Sequence, residues 1–133
     1  MMSMLRFRTR EGTFLAPIEK VTGVGLATEI KPLPGRKARV AGFVEREGRA
    51  VTVLSTLGES GTHIVLFSST GEHFGLLAEE VTGVVSVSEV DVEPAPSGQE
   101  RGFVKGIVKT RTGLELMLSV DALRSELAPV KQA

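Results

Sequence analysis

The chain has 133 residues, 41% of them hydrophobic and 24% charged, the balance of an ordinary globular domain. Lys plus Arg equals Asp plus Glu, 16 against 16, and a formal net charge of zero argues against a nucleic-acid partner or a polybasic membrane anchor. The chain contains no cysteine, which removes disulfides, thiolate catalysis and Cys-ligated zinc, and no apolar run approaches the roughly 20 residues of a bilayer span.

Met1 to Arg10 lacks the apolar centre of a signal peptide, so a cytoplasmic protein without direct membrane insertion is expected. Valine occurs 17 times, and short β-branched stretches recur: Arg49–Leu54, His63–Phe67 and Leu114–Leu118, each closed by Gly, Ser or Thr. Turn signals fall between such stretches at Glu11-Gly12, Pro34-Gly35, Glu47-Gly48, Thr70-Gly71, Ser97-Gly98 and Thr112-Gly113, and several are spaced for hairpins. Pro32 with Pro34, and Pro94 with Pro96, mark bends. One helix is predicted near the end, capped by Ser119 or Asp121 and running to about Leu127, with Val120, Leu123 and Leu127 on one face. Residues 128–133 are expected to fray. The pattern is that of an all-β protein.

The chain repeats itself. Phe14 to Val24 reads FLAPIEKVTGV and Phe74 to Val84 reads FGLLAEEVTGV, 60 residues on, with six of eleven positions identical. A weaker echo, Val40–Val44 against Val104–Val108, follows at an offset of 64, and each member leads through a glycine turn into an apolar strand. A single domain over residues 1–133 is expected, built from two similar β lobes, roughly 12–62 and 63–127. Neither is large enough for a generous core, so the two pack together, with the six phenylalanines filling the two cores.

Reactive chemistry is hard to find. His63 and His73 are the only histidines, one opening an apolar strand and one in a hairpin, and neither has metal-ligand spacing around it. No Gly-x-Ser-x-Gly elbow or phosphate-binding loop is present, and Gly23-Val24-Gly25 has no third glycine opening a helix. Glu79-Glu80 reads as the polar face of the repeated segment, matching Glu19-Lys20, rather than as a carboxylate dyad. The basic run Arg36-Lys37-Ala38-Arg39 after Pro34-Gly35 reads as a solvated loop. With no Trp or Tyr there is little for base stacking. No enzyme, no metal and no cofactor is expected.

The repeat and several segments together resemble the CheW-like domains of bacterial chemosensory systems, from about Leu5 to Leu127. The resemblance is carried by Phe14-Leu15-Ala16-Pro17-Ile18 with Val21, by Pro34 followed by Val40–Val44, by Gly75–Val81, and by Pro94-Ala95-Pro96, Gly106 and Leu116-Met117-Leu118. It implies two intertwined five-stranded SH3-like β-barrel lobes, with short helical turns and a C-terminal helix. It also implies a non-enzymatic adaptor joining chemoreceptors to a histidine kinase, with the receptor tip in the groove between the lobes. The matching groove positions are Val21, Gly42, Gly75, Val81 and Val84. The arginine that matters for receptor coupling in the family matches Glu47, a reversal of charge. Neighbouring Arg46 is expected on the opposite strand face.

The resemblance also has a gap. After Ser55 the chain runs through Thr56, Leu57, Gly58 and Glu59 almost straight into the next strand, where ordinary members carry roughly ten more residues. That region belongs to the lobe that contacts the kinase in the family, so Ser55–Glu59 mark a kinase-contact region in doubt. The expected function is a receptor-side adaptor with kinase coupling weakened or lost, similar to the short accessory CheW-like proteins beside Frz-type pathways of gliding bacteria. The expected partner is a methyl-accepting chemoreceptor signalling domain, with the histidine kinase or another CheW-like protein as further candidates. A conventional coupler is the alternative, and a β-barrel module binding a small molecule or nucleic acid is the alternative of another class.

Overall fold

The computed structural model describes residues 1–127, and the tail expected to fray lies outside them. Eleven strands form: β1 (Met2–Thr9), β2 (Gly12–Pro17), β3 (Val21–Leu26), β4 (Val40–Arg46), β5 (Arg49–Leu54), β6 (His63–Ser69), β7 (Glu72–Ala78), β8 (Glu80–Val87), β9 (Val92–Pro94), β10 (Val104–Thr110) and β11 (Gly113–Leu118). A helix α1 (Val120–Arg124) follows, continued by a 3-10 turn over Ser125–Leu127. Ser119 caps α1, its Oγ accepting from the Ala122 amide at 3.2 Å, and Val120 and Leu123 are buried. The turns at Glu47-Gly48 and Thr70-Gly71 carry positive φ at both residues (51° and 78°, 51° and 84°), the conformation that lets two residues close a hairpin without splaying its strands.

The strands form a six-stranded sheet in the order β8-β1-β2-β11-β10-β9 and a five-stranded sheet in the order β3-β6-β7-β5-β4. Two five-stranded units are thus recognisable, with the three-residue β9 adding a sixth strand to one. The halves of the chain exchange hairpins. The β1-β2 hairpin sits between β8 and β11, and the β6-β7 hairpin sits between β3 and β5. Each exchanged hairpin is joined on one side by a short parallel ladder, Phe14 to Leu116 in one sheet and Val53 to Gly75 in the other. Residues 12–62 and 63–127 therefore each contribute strands to both sheets.

The repeated motifs encode matching irregularities. In β3 the register passes from Val21–Phe67 to Gly23–Leu66, leaving Thr22 as the extra residue; in β8 it passes from Val81–Phe7 to Gly83–Arg6, leaving Thr82. Val-Thr-Gly is thus a β-bulge used twice. Val40-Ala41-Gly42 and Val104-Lys105-Gly106 form a second pair of bulges against β5 and β11. Bulges raise local twist, which small sheets need to curl into barrels.

Three apolar clusters hold the fold. Val44, Val51, Val53, Ile64, Leu66 and Leu77 fill the five-stranded lobe; Met4, Leu15, Val87, Val108 and Met117 fill the six-stranded one. The largest cluster lies between the sheets, and it holds Phe7, Phe14, Phe67 and Phe74, all at most 1% exposed. The expectation that the phenylalanines fill the two lobe cores is corrected by the hairpin exchange, which turns one face of both hairpins toward the seam: four of the six rings are buried there, and Phe103 packs against the same cluster. Burying each ring contributes roughly 1.5–3 kcal/mol, so the seam is the principal core of the molecule.

Candidate partner-docking surface

Val21 opens β3 and Val81 lies in β8, the edge strands of the two sheets. Val21 pairs with Phe67 and Val81 with Phe7, and both valines are half-buried against the central cluster. They are the same repeat position in the two lobes. Beyond each bulge the strands turn apolar side chains to solvent: Val24 and Leu26 on β3 (46% and 53% exposed) and Val84 on β8 (59%). Val24 and Val84 are again repeat-related. The repeat alone contained the signal for Val24, as the counterpart of Val84; for Leu26, whose position in β8 is held by Ser86, it gave none.

Gly42 and Gly75 are both buried. Gly42 has φ 152°, and a Cβ there would lie 2.3 Å from the Lys31 carbonyl oxygen. A Cβ on Gly75 would lie 2.7 Å from Ile64 Cγ2 inside the five-stranded lobe. Close packing within that lobe therefore requires glycine at both positions. Glu47 stands exposed at the tip of the β4-β5 hairpin.

Arg46, next to it, reaches β3. Its guanidinium pairs with Glu29 at 3.2 Å and covers Gly25, where a Cβ would lie 2.4 Å from Nη2. The Leu26 amide donates to Glu29 Oε1 at 2.9 Å, and this bond, followed by Arg46, holds the Glu29 carboxyl below the usual carboxylate range. An Arg46–Glu29 ion pair thus stands beside β3. Strand alternation alone did not reveal it, because the long side chain folds back over a glycine.

The Ser55–Glu59 segment is tied to the body. The Ser55 amide donates to Arg39 O at 2.7 Å and the Gly58 amide to Ser55 O at 3.1 Å. Leu57 is 7% exposed and belongs to the central cluster. Thr56 carries a buried hydroxyl without a hydrogen-bond partner, and Glu59 is exposed. Beside this segment opens a cleft of about 540 Å³, lined by Phe14, Leu57, Phe103 and Leu116 with Arg39 and Arg101 at its rim. None of the groove positions inferred from the sequence lines it.

The remaining polar groups hold structure together. Glu79 and Glu80 both bind Arg8, at 2.7 and 3.2 Å. His63 Nδ1 lies 2.8 Å from Thr62 Oγ1. Among the described residues no three His, Cys, Asp or Glu side chains gather as a metal site would require, and no helix is long and apolar enough to cross a membrane.

Two curled β lobes share a central core, and their repeat-related edge strands carry exposed valines. The chain belongs to the CheW-like domain family, whose description matches residues 3–128. It is 22% identical over 132 residues to the chemotaxis protein CheW of Rhizobium meliloti (strain 1021), covering 90% of this chain and 85% of that one. The crystal structure of the scaffolding protein TtCheW from Thermoanaerobacter tengcongensis superposes with a TM-score of 0.79 at 22% identity, covering 90% of this chain and 84% of that one. The protein is a CheW-like, non-enzymatic adaptor of chemotaxis signalling.

Proposed function

We propose that this adaptor binds the signalling tip of a chemoreceptor along the margin marked by Val21 and Val81, and that its coupling to the histidine kinase is weakened. The observation that carries the reading is the repeat-related pair of edge strands, where Val24, Leu26 and Val84 remain exposed beside the half-buried Val21 and Val81. An apolar helical hairpin needs such a strip, and the Arg46–Glu29 pair beside β3 supplies polar groups at its border. Gly42 and Gly75 shape the lobe and contribute indirectly, and Glu47 at the hairpin tip stands at the edge of the contact. The weakened coupling is supported by the short Ser55–Thr62 connection, in which Leu57 turns inward and Glu59, Ser60 and Thr62 are the residues left exposed. This chemistry suits a short accessory member working in cytoplasmic arrays.

The test is calorimetry against two targets side by side, a chemoreceptor signalling domain and the regulatory domain of the cognate kinase. Binding to the receptor alone is expected, and Val84→Asp should weaken it on the order of tenfold or more. Equal binding to the kinase domain would make the protein a conventional coupler. An unchanged affinity in Val84→Asp would move the receptor site elsewhere.

A further inference from the structure

The C-terminal segment touches both lobes through charged groups at its two ends. At one end the Glu126 side chain, only 8% exposed, holds Arg39 at 3.2 Å and Arg101 at 2.5 Å. Arg39 belongs to the connection into β4 of the five-stranded sheet, and Arg101 to the connection between β9 and β10 of the six-stranded sheet. One buried carboxylate therefore ties the two lobes together, and its loss would leave two guanidiniums facing each other without a counter-ion.

Arg39 itself is unusual. Its φ is 70°, a left-handed conformation uncommon for a residue with a side chain. Glu126 holds its side chain and the Ser55 amide its carbonyl. At the matching place in the other lobe the Ser119 amide donates to Phe103 O, also at 2.7 Å, immediately before α1 begins.

At the other end of the segment, Asp121 accepts a short hydrogen bond from the buried Ser69 hydroxyl and pairs with Lys20 Nζ at 3.2 Å. Lys20 immediately precedes Val21. Val120, just before Asp121, and Leu123, between the two ends, are at most 2% exposed within the central cluster, so the segment is packed as one piece.

We propose that Val120–Leu127 is a latch that couples the cleft at Arg39 and Arg101, and the Ser55 amide bonded to Arg39, to the start of β3, with Glu126 as its bolt. When Glu126 holds both arginines, Asp121 is seated and fixes Lys20 and Ser69. When the bolt is released, the strap shifts as a unit and the start of β3 loosens with the cleft loops. The consequence for receptor binding rests on the proposed site at Val21, but the latch does not depend on it.

Hydrogen exchange of the intact protein tests the coupling without any partner. In Glu126→Gln, amides around Ser55, around Ser119 and over Val21–Gly23 should exchange about tenfold faster together, while the β4-β5 and β10-β11 hairpins keep their native rates. Arg101→Ala, which keeps the Arg39–Glu126 pair, should show the same pattern more weakly. Acceleration confined to the cleft loops, with Val21–Gly23 unchanged, would reduce the strap to a local clamp and overturn the proposal. If Glu126→Gln loosens the whole molecule evenly, Arg101→Ala decides: the three-segment pattern supports the latch, and an even loosening removes it.

Discussion

Phe7 and Phe67, 60 residues apart in the chain, meet with ring centroids 6.5 Å apart at the seam between the two sheets. Each also faces its own hairpin partner, Phe14 at 5.8 Å and Phe74 at 5.5 Å, so four rings run in a row through the centre of the molecule. The row is itself a repeat, and Val21 and Val81 pair with its two middle members. Any surface built on those valines rests on this stack.

Cutting the stack should be costly. Phe67→Ala is expected to lower the unfolding free energy by about 3–5 kcal/mol. A double-mutant cycle with Phe7→Ala should show a coupling of about 0.5–1.5 kcal/mol. Urea unfolding monitored by far-UV circular dichroism reads both, and additive losses would mean that the rings fill space independently.

Gly42→Ala distinguishes a lobe-building glycine from one that only touches a partner. The new methyl would press on the Lys31 carbonyl in a backbone conformation that disfavours a side chain, so a loss of about 1–3 kcal/mol is expected. Gly35→Ala, also at positive φ but with nothing within 4 Å, should lose less. A Gly42→Ala protein with native stability and impaired receptor binding would reverse this assignment.

Glu47 sits in a left-handed conformation at the first position of a two-residue turn closed by Gly48. Asparagine tolerates that conformation far better than glutamate does, and Asn-Gly is the preferred pair for such a turn. Glu47→Asn should therefore stabilise the protein, by about 0.5–1 kcal/mol. A lower melting temperature in the variant would show that the glutamate makes a contact of its own.

The Ser69 hydroxyl, followed by Lys20, lowers the Asp121 pKa below the ordinary aspartate value, and Leu26 and Arg46 do the same for Glu29. A carboxyl with a depressed folded-state pKa contributes stability that is fully present above its unfolded pKa, about 3.9 for Asp. That contribution is lost as pH falls through the lower, folded value. Stability should thus decline as pH is lowered below about 4, and Asp121→Asn should flatten part of that decline while costing stability at neutral pH. Urea titrations from acid to neutral pH check the slope; an identical slope in the variant would remove Asp121 from the account.

Much of this was legible in the residues. The strands around Arg49–Leu54, His63–Phe67 and Leu114–Leu118, the hairpin turns and the capped terminal helix follow from local patterns that the backbone obeys wherever the segment sits. The repeat gave the two-fold plan, and the match of Phe14–Val24 to Phe74–Val84 already paired Val21 with Val81 and Val24 with Val84. Less legible were Arg46 on Glu29 and the inward turn of Leu57, because both depend on what another strand presents to them.

The sequence by itself determined the local vocabulary: where strands and hairpin turns fall, where Val-Thr-Gly recurs, which residues are apolar. Only the tertiary structure decided that the halves trade hairpins, that Phe7, Phe14, Phe67 and Phe74 share one central core, and that Glu126 is buried between arginines of different lobes. The physical reason is that periodicity and turn chemistry act between neighbours in the chain. The pairing of β1 with β8 and of β6 with β3 is instead selected by burial, which is indifferent to distance along the sequence and depends on which faces close the largest apolar surface away from water.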